Sequence, residues 1–297
     1  MVRVVRGLVI VLLALGPNGL AHAQAEEPAW LVIERAERLL DEAEFGLAIR
    51  AYRRALDLAP GTPEALLGLG RTYKAIADYE VAEDYFRRAL EQRGAFEVPD
   101  LAFVVRYERA DIYRTRRDFA RYEQELSQIV AEDPPPEESL IPDGVHLILA
   151  EQDLERFLVL YRLPESASTR ARGMLAELLV GLGRYNAAAE QAALAVLQSF
   201  TTLIDAAIER DPTYEFTTVG GLLERARADE VMEAYLSESA LFHDLYYAAA
   251  AFWGERNDAA FDLWTTLSRV DPNGTWGARA ARRLADPQTE PLLIPGR

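Results

Sequence analysis

His146 and His243 are the imidazoles that remain once His22, close to the start of the chain, is set aside, and they lie nearly a hundred residues apart. A histidine serves as general base or zinc ligand only with a second group beside it, as in HExxH, where two ligands stand one helical turn apart. Neither histidine has such a neighbour, so both read as ordinary helix residues. Cysteine is absent, which removes disulfides, thiolate nucleophiles, cysteine metal sites and a lipid-bearing cysteine together. There is no GxSxG, Walker loop or dinucleotide glycine pattern. Asp271-Pro272-Asn273-Gly274 opens like a calcium loop but lacks the later ligands and the closing Glu, so it reads as a turn. Asp133, Glu137 and Glu138 read as a solvated acidic stretch rather than a cation site. A glycan-cleaving enzyme working with carboxylates alone would need two acids facing each other across a cleft, which no linear pattern reveals. The expectation is a protein without catalytic residues, metal or cofactor.

The start of the chain carries an address. Arg3 and Arg6 precede an uninterrupted apolar run, Gly7 to Leu15, and Pro17, Asn18 and Gly19 then break it. That run is too short to cross a bilayer, which takes about 20 residues in a helix. Ala21-His22-Ala23 offers the small residues of a signal-peptidase site, so residues 1–23 read as an export signal and Gln24 as the mature N-terminus, with a cut after Ala25 as the alternative. The expected location is the periplasm or the outside of the cell. The signal takes two of the 32 basic residues with it and none of the 48 acidic ones, leaving a surface that repels nucleic acid and anionic lipid. No other stretch reads as membrane-spanning.

What must position any functional residue is a repeat. AIRAYRRAL at 48–56 returns as AEDYFRRAL at 82–90, an interval of 34 residues. This is the size of a helix-turn-helix unit, which cannot cover its own apolar face and so stacks on copies of itself. Ala48, Tyr52 and Ala55 share one helical face, as do Ala82, Phe86 and Ala89: small residues admit a neighbouring helix and the ring fills the gap beside them. Pro60 closes one helix and Thr62-Pro63 opens the next.

On these residues the chain resembles the tetratricopeptide repeat family. Residues 63–94 carry Leu69-Gly70, Tyr73, Ala77-Asp78-Tyr79, Ala82, Phe86 and Ala89, and residues 29–60 carry Leu39, Phe45, Ala48, Tyr52, Ala55 and Pro60. A third copy, with Ala110, Tyr113, Phe119, Leu126, Ile129 and Pro134, follows a six-residue insertion and has Tyr122 where a small residue is expected. A fourth shows Leu175-Ala176, Leu179, Gly183-Arg184-Tyr185, Ala188, Ala192 and Ala195. A fifth shows Ala248, Ala251, Ala260, Trp264 and Pro272, with a capping helix from Asn273 to Leu284. The resemblance implies an all-α, right-handed superhelical solenoid with an irregular C-terminal half. Its expected divisions are repeats over 27–134, a Pro-rich acidic linker or loop over 135–144, a second helical region with its cap over 145–286, and a tail over 287–297. Residues 145–163 and 221–240 each read as a helix, and the Gly- and Pro-free stretch 186–209 as a helix about 36 Å long.

The resemblance also implies a mode of action. Members of this family bind peptide segments or helices along a concave wall, and the matching positions are Trp30, Ile33 and Glu37, then Leu67, Arg71 and Lys74, then Tyr107, Asp111 and Arg114, then Arg170 and Glu177. Arg71, Lys74 and Arg114 would form a basic spot able to pair with a partner's carboxylate. Chaperone-binding members place Lys and Asn where this chain has Ile33 and Glu37, so recognition of that kind is not expected. Phe242, Leu245, Phe252 and Trp253 would supply an aromatic anchor pocket, unless those rings pack on the cap with Trp264 and Trp276. The expected function is a periplasmic, noncatalytic adaptor that binds an envelope protein or peptide. The alternative is an accessory protein for an envelope transporter, in which residues 145–240 wrap a cavity for a small ligand.

Overall fold

A computed structural model describes residues 27–136 and 141–293, and the predicted export signal, part of the acidic linker and the last four residues lie outside them. Within the described residues every regular element is helical. Five hairpins form the stack: α1 (Ala29–Asp41) with α2 (Phe45–Leu58), α3 (Pro63–Ala75) with α4 (Tyr79–Glu91), α5 (Leu101–Thr115) with α6 (Phe119–Glu132), α9 (Thr169–Gly181) with α10 (Tyr185–Arg210), and α13 (Leu241–Gly254) with α14 (Ala259–Val270). The cap is α15 (Thr275–Ala285). Two short pairs are inserted: α7 (Val145–Glu151) with α8 (Leu154–Leu160), and α11 (Val219–Arg227) with α12 (Glu230–Glu238).

The hairpins share one turn. Ala43, Ala77, Arg117, Gly183 and Arg256 all have positive φ, between 57° and 72°. In the second hairpin the Ala77 N–H reaches Lys74 O and the Asp78 N–H reaches Tyr73 O, both at 2.9 Å, and the other four turns repeat this pair of bonds. A left-handed residue here satisfies the last carbonyls of the first helix and starts the second antiparallel to it. Asp78 and Asp118 then cap α4 and α6 through the N–H groups of Val81 and Arg121.

Packing follows the small-residue logic of the repeat. Ala48, Tyr52 and Ala55 are buried, as are Ala82, Phe86 and Ala89. Each helix packs on the next through α6; α6 then packs on α9, and the order continues α9, α10, α13, α14, α15. Asp133 fastens that passage, its carboxylate accepting the Ser168 N–H at 2.7 Å while its carbonyl accepts the Ser168 hydroxyl. One hydrophobic core runs from Ala110 and Tyr113 on α5 to Ala280 on α15. α1, α3 and α5 touch in sequence, as do α9, α13 and α15, forming an inner row of helices.

Three expectations need correction. Residues 145–163 and 221–240 are each two short helices, because an aspartate cap interrupts both: Asp153 accepts the Arg156 N–H, and Asp229 accepts those of Val231 and Met232. Their side chains, among them Leu149, Phe157, Val219 and Leu222, fill the core, and α7, α8 and α11 pack on α10. Finally, α10 is long and apolar enough, by length and composition, to cross a membrane, contrary to the reading that no such stretch follows the leader. In this fold 72% of its apolar window is buried against protein, with α9 and α13 along its sides.

Candidate binding wall

Four helices of the inner row place polar side chains toward common clefts, because residues three, four and seven apart line one face of a helix. Arg71 and Lys74 on α3, Val104, Tyr107, Glu108 and Asp111 on α5, and Arg170 on α9 line a cleft of about 340 Å³. Arg170 also borders the next, of about 460 Å³, with Arg114, Met174, Glu177, His243, Asp244 and Trp276. A third, of about 300 Å³, continues from Arg170 and Asp244 to Glu165, Thr169 and Ser199. Arg114 and Glu177 border a fourth, of about 170 Å³, with Phe119, Tyr122, Leu178 and Tyr247. Shared residues therefore join the clefts into one wall.

The charges on this wall are sorted. Arg71 pairs with Glu108 at 2.8 Å, and Lys74 bridges Glu108 at 2.7 Å and Asp111 at 2.6 Å. This local neutralisation removes the basic spot expected of Arg71, Lys74 and Arg114. Arg114 and Arg170 have no carboxylate at ion-pair distance among the described residues. Arg170 lies 5.2 Å over the Tyr107 ring, which leaves its guanidinium edge for a ligand. Tyr107 in turn donates its hydroxyl to Ala167 O at 2.7 Å.

His243 is the residue that sequence reasoning undervalued. Its Nδ1 meets Asp244 at 2.7 Å and its Nε2 meets Glu177, from α9, at 3.4 Å. Burial alone would lower the imidazole, but the bonds and charges of these two acids outweigh it and leave His243 pushed up to about 9. Burial pushes the Asp244 carboxyl up, and the imidazolium beside it pulls it back. Glu177 is held below the usual carboxylate range, first by His243, and it also accepts the Tyr247 hydroxyl at 3.1 Å. Asp244 has room because Gly173 on α9 lacks a side chain: a Cβ there would come within 2.1 Å of its carboxylate. The rings of Tyr247 and Trp276 pack on the imidazole at 4.7 and 5.0 Å.

The match to known proteins falls on the hairpin that carries Arg71 and Lys74, where residues 63–95 fit the tetratricopeptide repeat. Residues 63–95 are a tetratricopeptide repeat. The other four hairpins repeat the same turn, and the first also repeats the Ala-aromatic-Ala packing through Ala48, Tyr52 and Ala55. A protein of Treponema pallidum (strain Nichols), described as uncharacterized, is 24% identical over 229 residues, which is 75% of this chain; the chain spans 61% of that relative's length. Among solved structures the chain is similar to YrrB, a tetratricopeptide repeat protein with an unusual peptide-binding site, at 17% identity and a TM-score of 0.48, covering 87% of this chain and 94% of that one. It is also similar to MamA from Desulfovibrio magneticus RS-1, at 13% identity and a TM-score of 0.45, covering 83% and 97%.

Of the wall positions implied by the tetratricopeptide repeat, the fold gathers Arg71, Lys74, Tyr107, Asp111, Arg114, Arg170 and Glu177 on the joined clefts. Others lie elsewhere. Ile33 and Leu67 are core residues, and Trp30, 64% exposed, and Glu37, also exposed, lie on α1 and line none of these clefts. Phe252 is buried and Trp253 packs on Phe261 and Trp264, so neither contributes an open pocket. On α13 the wall is instead His243, Asp244 and Tyr247. The signal for this was the turn: His243 precedes left-handed Arg256 by the same thirteen residues that separate Arg170 from Gly183. Met174, Glu108 and Trp276 were likewise missed, Trp276 because it reaches the wall from the capping helix.

Proposed function

We propose that this protein is an exported, noncatalytic scaffold that holds an extended segment of an envelope protein or peptide along the wall formed by α3, α5, α9 and α13. The observation that carries the reading is the continuity of the clefts through Arg114, Arg170 and Glu177, with aromatic rings from Tyr107, Tyr247 and Trp276 along the path. Arg114 and Arg170 are the wall's cations without a carboxylate at ion-pair distance among the described residues, and they favour a carboxylate on the partner. Both nitrogens of His243 are engaged by acids, so the imidazole has no free lone pair to take a proton from a substrate, which supports binding rather than catalysis. The basic, apolar start of the chain supports export.

A photo-crosslinking residue in place of Met174, compared with one in place of exposed Gln128 on α6, tests the wall in the producing cell. A discrete adduct at 174, absent at 128 and lost with Arg114→Glu/Arg170→Glu, is expected. The same adducts at both positions would overturn the assignment. Fractionation of the tagged chain tests export, since retention of the unprocessed chain in the cytoplasm would contradict it.

A further inference from the structure

The wall has an occupant at one end. After α15 the chain turns back as a strip without regular secondary structure, and Glu290 on it is 8% exposed. Its carboxylate receives the Arg279 and Arg283 guanidinium N–H groups, each at 2.6 Å, and the Tyr246 hydroxyl. The Arg279 guanidinium itself lies 4.5 Å over Tyr246 and 5.3 Å over Trp276. Three residues further on, the Leu293 N–H donates to Gly181 O at 2.6 Å, and its side chain rests where a Cβ on Gly181 would be, 2.7 Å away. Pro291 and Leu292 between them are exposed. The strip is thus held by two anchors of different chemistry, one charged and one aliphatic.

These anchors sit on the binding wall. The 170 Å³ cleft bordered by Arg114, Glu177 and Tyr247 is closed on its far side by Glu290, Pro291 and Leu293. A paired guanidinium seat on an aromatic platform, next to a side-chain-free step at Gly181, is a receptor for a carboxylate followed by an aliphatic residue. We propose that this seat takes an extended partner segment with an acidic residue and, three residues later, an aliphatic one, and that the chain's own Glu290–Leu293 fills it until such a segment displaces it. The proposal rests on the reading of the wall as a peptide-binding surface and names the partner's chemistry.

The test uses a fluorescent, end-blocked synthetic peptide of residues 286–293 as probe. The full chain carrying Glu290→Lys and Leu293→Asp has its tail released, and should bind the probe about tenfold tighter than the unaltered chain, whose seat is filled. Adding Arg279→Glu should abolish that gain. Absence of probe binding to a released chain of unchanged helicity would overturn the proposal and leave the tail a permanent staple. In the unaltered, ¹⁵N-labelled chain, excess unlabelled probe should speed exchange of the Leu293 amide; an unchanged rate would also overturn it, whatever the variants do. A chain that crosslinks a partner at residue 174 but ignores the probe would keep the wall and lose only the seat.

Discussion

The Tyr52 ring on α2 lies directly against Gly68 on α3: a Cβ on Gly68 would come within 2.2 Å of it. Gly70, two residues on, meets Phe86 of its own repeat in the same way, at 2.4 Å. The first contact sets the distance between consecutive hairpins and the second that between the two helices of one hairpin, and together they shape the wall. Gly68→Ala should cost about 2 to 3 kcal/mol, since the ring is buried and has nowhere to retreat. Urea denaturation checks this, and a change under 0.5 kcal/mol would show that the stack can slide.

The shared turn is strained where it lacks glycine. Ala77 and Arg117 occupy left-handed positions that Gly183 fills without strain. Ala77→Gly and Arg117→Gly should each stabilise the chain by about 0.5 kcal/mol, while Gly183→Ala should destabilise it by about 1 kcal/mol. Thermal melts of the three variants would show the opposite signs.

Glu125 on α6 is buried against α5, pairing with Arg109 at 2.9 Å and Arg106 at 3.3 Å, and Arg106 continues to Glu132 at 2.6 Å. Removing the acid leaves the half-buried Arg109 guanidinium without its carboxylate, while Arg106 keeps Glu132. Glu125→Ala should therefore cost about 3 kcal/mol, measured by chemical denaturation.

His243 makes stability depend on pH in the alkaline range. Its folded value, about 9, lies above the ordinary 6.5, so its contribution is fully present below about 6.5 and is lost as pH rises through 9. The loss should be roughly 3 kcal/mol between pH 6 and 10, and it should shrink in His243→Gln. Denaturation midpoints for both proteins across this range, supported by the imidazole proton shifts, check the sign.

The repeat was legible because Ala48, Tyr52 and Ala55 obey one helical period and recur after 34 residues. Asp153 and Asp229 also carried a readable signal, as cap residues inside apolar periodic segments, yet whether a cap prevails over continuation depends on the α10 surface on which both helix pairs gather. The wall was legible where i, i+4 and i+7 positions point the same way, as for Tyr107, Asp111 and Arg114. It was not legible in its charges. Glu108 cancels Arg71 and Lys74 from the neighbouring hairpin, and Glu177 meets His243 across 66 residues of sequence. The tail's seat on α15 depends on a chain reversal that no local pattern announces.

The most direct measurement is the affinity of the segment captured at residue 174, titrated into the unaltered chain and into Arg114→Glu/Arg170→Glu. A wall built around these two cations predicts a loss of about 2 kcal/mol or more in the double variant, together with a smaller dependence on salt. Equal affinity and equal salt dependence in both proteins would contradict it.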